Sequence, residues 1–300
     1  MPNTDVVALT GHTAQTGGSS SMGSGCLIAF GLPFLVAGAF IGAVGLGYFP
    51  VGPSDAPRAI IGSMGVVFFG SGLLVSGQGV AGLFRRRRAD RLMRERPHEH
   101  WNADHRWNRE GERERPFASA VHGLLGIGFF ALFLLPFNWW AMQEPGIVTA
   151  IVGLFDLLLV GMVGYWLYMI GRALKYGAAW IRYDRFPFFL GDRLDVRLGC
   201  RGRLNGFEKV TVVLRFIRVK FERSGKSNQP VCYQHWAETL EFEGRALTHA
   251  TDLPVSFQLP AGDYGTWLSE SPPAYWEIEM KGEAPGIDFG ARFLVPVYAR

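Results

Sequence analysis

His98, His100, Asp104 and His105 fall within eight positions of one another, and imidazole with carboxylate is the donor set a transition metal such as zinc takes. Their spacing matches no closed metal site, and the stretch around them is dense in charge, so a solvated polar loop is the ordinary reading and metal binding the weaker alternative. Asp156 is a carboxylate inside a long apolar run. A charge there must be paired, protonated or hydrated, which makes it a candidate for proton or ion passage by default. The quieter alternative is a protonated Asp156 hydrogen-bonded to Ser71, which lies at a similar depth in another apolar run. His122 and Gln78 form a second such intramembrane pair by the same depth count. No G-x-x-x-x-G-K-[ST], G-x-G-x-x-G after a strand, G-x-S-x-G or H-E-x-x-H occurs, so no catalytic residue is assigned and no cofactor is expected.

Four apolar runs must position these groups: Cys26 to Phe49, Ala59 to Phe84, about Phe117 to Met142 and about Gly146 to Ile170. Each exceeds the roughly 20 residues that cross a hydrocarbon core. Between the second and third lies Arg85 to Pro116, which opens Arg85-Arg86-Arg87-Arg88 and holds eleven Arg against seven acids. Cationic loops stay on the cytoplasmic side during insertion, so this loop, both termini and the Arg and Lys after the fourth run are expected inside. Arg85 to Arg88 then meet the inner leaflet, where anionic lipid attracts them. Trp101 and Trp107 in the same loop are expected to dock on that leaflet or on the domain that follows. Gly38 and Gly42 of the first run, with Gly65, Gly72, Ser76 and Gly79 of the second, let two backbones approach closely. Packing within this hairpin is the preferred reading, with a homo-oligomer face as the alternative.

With 48% hydrophobic residues and 39 Gly in 300 residues, the chain is too apolar for an ordinary soluble enzyme and too charged to lie wholly in a membrane. The three Cys (Cys26, Cys200, Cys232) form no C-x-x-C pair, which suits reduced thiols. Residues 1–24, rich in Gly, Ser and Thr, read as a disordered tail. Residues 25–178 read as the four-helix transmembrane domain with its cytoplasmic loop 85–116. Nucleic acid is not an expected partner, because the charge that would bind it is held at the membrane.

From residue 179 the pattern changes to short alternating segments parted by turn residues, the mark of an all-β sandwich over 179–300. Val210, Val212, Leu214 and Phe216 alternate, then Ile217, Val219 and Phe221 continue on the other parity, which predicts a β-bulge near Phe216. Trp276, Ile278 and Met280 form one face of a strand that a turn at 282–286 joins to Phe289, Ala291, Phe293 and Val295. In order, Phe188-Phe189-Leu190-Gly191-Asp192, Leu253 to Pro260, Tyr275-Trp276-Glu277-Ile278-Glu279 and Phe293-Leu294-Val295-Pro296-Val297 are landmarks by which the tail resembles the arrestin-like, immunoglobulin-type β-sandwich superfamily. The whole chain also resembles a group of bacterial four-helix membrane proteins, a likeness that implies no activity. Arrestins proper carry two sandwiches and act as adaptors, whereas this tail has room for one, so the resemblance implies a protein partner on the sandwich but no phosphate-triggered activation.

The expectation is a multi-pass inner-membrane protein with a cytoplasmic arrestin-like domain acting as a non-enzymatic scaffold. The alternative is a small transporter or channel subunit using Asp156.

Overall fold

The computed structural model describes residues 4–12, 23–49, 57–96, 98–143, 146–201, 204–224, 227–247, 252–269 and 272–300. The chain forms two compact units. One is helical, built from Met22–Arg87 and Phe117–Gly171; the other gathers Met1–Ser21, Arg88–Pro116 and Arg172–Arg300.

Among the described residues four helices are long and apolar enough to cross a membrane: α1 (Ser24–Gly45), α2 (Arg58–Glu95), α4 (Pro116–Gln143) and α5 (Ile147–Tyr176). Between α2 and α4 lies a short helix, α3 (His100–Asp104). The apolar runs agree with the sequence reading, but α2 passes through the four Arg without a break and ends at Glu95. Hydropathy marks where a span leaves hydrocarbon, not where a helix stops, and Arg, Ala, Leu, Met and Glu are all good helix formers. Small residues do hold α1 and α2 together. Gly31 and Gly38 of α1 and Gly65, Gly72, Ser76 and Gly79 of α2 are buried, in a pair of helices otherwise rich in exposed apolar side chains. A Cβ on Gly72 would lie 2.6 Å from the Leu35 nitrogen, so the two backbones touch here.

The β unit is built from β1 (Val7–Ala8), β2 (Gly111–Arg113), β3 (Ala179–Tyr183), β4 (Phe188–Phe189), β5 (Arg193–Cys200), β6 (Lys209–Ser224), β7 (Ser227–Glu243), β8 (Leu253–Gln258), β9 (Ala274–Glu283), β10 (Phe289–Val295) and β11 (Val297–Tyr298). One antiparallel sheet has the order β1-β7-β6-β9-β10, a second has the order β2-β3-β5-β8, and β11 pairs β4 in parallel. Buried side chains of both larger sheets share one core, with Ile181, Leu194 and Phe257 from the second and Phe216, Trp276 and Phe293 from the first. The register of β6 against β7 shifts between Phe216 and Ile217, where the change of parity predicts a bulge.

Two expectations are corrected. The tail 1–24 is not wholly irregular, because Val7 and Ala8 pair with Gln234 and Tyr233 on the edge of β7, and Leu9 N donates to Cys232 O at 2.9 Å. A two-residue strand is too short to leave a period in the sequence and exists because an edge is there to receive it; residues 13–22 lie outside the described residues. The β unit also begins before residue 179. β2 pairs Gly111 with Arg182 and Arg113 with Trp180, so the Arg-rich segment supplies an edge strand and is not a free loop. Gly111 has φ +126, and a side chain there would run into the Ile181 carbonyl, so only glycine fits.

Candidate functional site

The Arg-rich segment is fixed to the β unit by its two tryptophans. Trp101 meets Phe189 edge-on at 6.1 Å and lies 6.3 Å from the Tyr298 ring. Trp107 Nε1 donates to the Tyr298 hydroxyl at 2.9 Å. That hydroxyl donates in turn to Asp104 Oδ2 at 3.1 Å, while Ser269 N donates to Asp104 Oδ1 at 2.6 Å. Burial, and then the Asp104 charge, push the Tyr298 phenol far up, so it remains a neutral donor. His105 packs against Trp107 with the rings tilted and their centroids 4.6 Å apart. Burial lowers its pKa, against the opposing pull of Asp104 and with the help of Arg88, so the imidazole is neutral near pH 7.

Of the metal-ligand candidates, Asp104 is therefore already engaged, His98 is exposed, and nothing is described of the His100 side chain. Among the described residues no three His, Cys, Asp or Glu side chains are grouped as a metal site would need.

A second cluster escaped the sequence reading. Glu277 and Glu279 alternate with the core residues of β9 and read as its solvent face, yet they are 0% and 4% exposed. Arg215 of β6, 7% exposed, lies opposite, with its Nε 3.7 Å from Glu277 and its guanidinium in an ion pair with Glu279. Arg292 Nε and Lys281 Nζ reach Glu279 at 3.0 and 3.4 Å, and His12 Nε2 is 3.3 Å from Glu277. Burial alone would push the Glu279 carboxyl up, but Arg215, Lys281 and Arg292 outweigh it and hold it below the usual carboxylate range. The outer face is dry at this end because Leu9 and Trp107 cover the neighbouring Ile217, Val219, Cys232, Tyr275 and Leu294. Alternation shows that a strand has two faces; it does not show that a distant segment covers the second. The signal that could have found the cluster is Arg215, which breaks an apolar run on the same parity as those acids.

Beside it a cleft of about 680 Å³ is lined by Glu114, Arg172, Glu279, Lys281 and Arg292 among others. Burial raises the Glu114 carboxyl, and Arg172 partly offsets this. Arg172 also donates to Gly290 O at 2.6 Å. Both signs are present and largely answer each other.

In the helical unit Asp156 is half-buried, and its hydrogen-bond partner is Asn138 of α4, whose Nδ2 donates to Oδ1 at 3.0 Å. This corrects the Ser71 pairing: counting depth cannot tell which helix lies alongside, and the few residues of sequence between α4 and α5 make α4 the neighbour. His122 Nδ1 is bonded to Ala118 O of its own helix at 2.7 Å, and Gln78 is exposed, so they are not a pair. Arg85, Arg86, Arg87 and Arg88 are all exposed on α2.

No family model matches the chain, and no curated protein matches it. Among solved structures it has a slight likeness to a β-glucosidase from Listeria innocua in complex with gluconolactone, at 12% identity and a TM-score of 0.19. The likeness covers 41% of this chain and 16% of that one, and it defines neither fold nor activity.

Proposed function

We propose that the protein is a multi-pass protein of the bacterial inner membrane that presents its β unit, a single arrestin-like sandwich, to the cytoplasm as a non-enzymatic interaction module. One observation carries the topology. The β unit takes in chain that precedes α1, chain that joins α2 to α4, and chain that follows α5. One folded body lies on one side of a bilayer, so with four crossings these segments must share a side, and the eleven Arg of 85–116 choose the inside. Connectivity and charge are independent arguments, and they agree. The interaction role is supported by the β6–β7 hairpin, which stays paired to Ser224 and Ser227 while β9 leaves β6 at Arg218. Beyond Val219, whose N still donates to Pro273 O at 3.0 Å, it is a two-stranded arm among the described residues, and the β6 edge offers its backbone groups to a partner strand. Reporters that are active only outside the cytoplasm should be silent when fused after Arg300 and active after Ser54; the reverse pattern would overturn the reading.

A transporter using Asp156 is the second reading. Against it stands the neutral amide of Asn138, which gives the Asp156 carboxyl a hydrogen bond without any cation. Asp156→Asn should therefore keep the protein at its normal membrane level, and neither form should carry protons across reconstituted vesicles. Proton flux in the wild type that the Asn variant lacks would replace the scaffold with a transporter.

A further inference from the structure

Within the β unit, the last turns of α2 face the stretch after α3 across a recess of about 280 Å³. Arg88, Arg96, Arg106 and Arg109 line it, and Glu95 is the carboxylate on its wall. The α2 contribution has helical spacing: Arg88, Leu92, Glu95 and Arg96 follow i, i+4, i+7, i+8 and share one face, while Arg91 and Arg94 fall on another. Four guanidiniums around so small a space repel one another unless an anion answers them. The nearest acids are committed elsewhere. Asp104 accepts from Ser269 N and the Tyr298 hydroxyl, and Glu99 is held by Asn102 at 2.6 Å and by Arg96 at 3.3 Å. Among the described residues Arg88, Arg106 and Arg109 have no ion-pair partner, and Arg109 instead lies 5.9 Å over the Phe186 ring.

We propose that this recess binds a phosphomonoester, gripped by Arg88, Arg96, Arg106 and Arg109. The terminal oxygens of a phosphate dianion accept paired N–H bonds from several guanidinium forks at once, which a carboxylate with two oxygens cannot do. The group has two sources: the headgroup of a phosphatidate lipid or a soluble phosphate ester. The lipid source rests on the membrane reading above, because Arg88 follows Phe84 by four residues of continuous helix, a rise of about 6 Å, which is headgroup depth if α2 spans.

The test uses the full-length protein in detergent, titrated with inorganic phosphate and glycerol phosphate at constant ionic strength. Arg106→Gln/Arg109→Gln should weaken binding by roughly a hundredfold, about tenfold per guanidinium. Arg88→Gln, which breaks no hydrogen bond or ion pair found among the described residues, should weaken it in the same direction, and Glu95→Gln should tighten it. Arg91→Gln/Arg94→Gln removes the same charge off the lining face and should change affinity by less than about twofold. Equal losses in the two double variants, or a wild type that prefers phosphate no more than chloride, would overturn the site. Nanodiscs then separate the sources: displacement of bound phosphate by phosphatidate but not by phosphatidylglycerol supports the recess with a lipid ligand, and no displacement by either supports it with a soluble one. Binding in detergent does not depend on topology, so a misplaced Arg300 reporter and a failed titration are separate results.

Discussion

Arg215→Met should lower the unfolding free energy of the β unit by about 3–5 kcal/mol, the usual result of removing one partner from a buried charged pair. Methionine matches the length of the arginine stem but leaves Glu277, 0% exposed, without the Arg215 cation and with the His12 imidazole 3.3 Å away. Glu279 keeps Lys281 and Arg292, so the larger part of the loss should come from Glu277. Urea unfolding of the full-length protein in detergent, followed by fluorescence of the core residues Trp236 and Trp276, measures the change. Adding Glu277→Gln to the Met variant should restore much of the loss. A loss below about 1 kcal/mol, the scale of an exposed pair, would show that the cluster is solvated. The pH dependence follows from Glu279. Its carboxyl is held below the ordinary range in the folded state, so its contribution is present above the unfolded pKa and is lost as pH falls through the folded one. Acid should therefore destabilise the wild type more than the Met variant, which has already lost one of the three cations.

Gly72→Val should separate α1 from α2. The added Cβ would sit 2.6 Å from Leu35 N and 2.8 Å from Gly31 O, and backbone atoms cannot swing away as a side-chain tip can. Overpacking usually costs about 1–3 kcal/mol, and a collision with two backbone atoms belongs at the upper end. In lipid no hydrophobic drive restores a parted helix pair. Titration with a denaturing detergent should show loss of helical signal at a lower detergent fraction for Gly72→Val than for Gly77→Val, because a Cβ on Gly77 meets nothing within 4 Å. Equal midpoints would mean that the small-residue face is not the seam.

What the sequence made legible is what repetition encodes. Four apolar runs announce four helices, the change of parity at Phe216 marks a register shift, and Trp276, Ile278 and Met280 mark a core face. What stayed hidden depends on which distant segment arrives. Val7 and Ala8 become a strand only against β7, and Glu277 becomes buried only because other chain covers its face. Asp156 was legible as a polar group needing a partner, but the identity of that partner, Asn138, is a matter of helix neighbours. The arginines of the recess were read as a band of charge along the chain. That four of them line one recess depends on how the stretch after α3 meets the end of α2.

The bond from Trp107 to Tyr298 joins positions 191 residues apart, and it sets an order of events at the ribosome. At roughly 5–20 residues per second, about 10–40 s pass between the synthesis of one partner and of the other. In that interval α4 and α5 emerge, while Trp101, Trp107 and the arginines after α2 still wait for the surface they rest on. The four long apolar helices are therefore complete before the β unit can close. During synthesis the arginine segment is first unpacked chain and only afterwards a folded part.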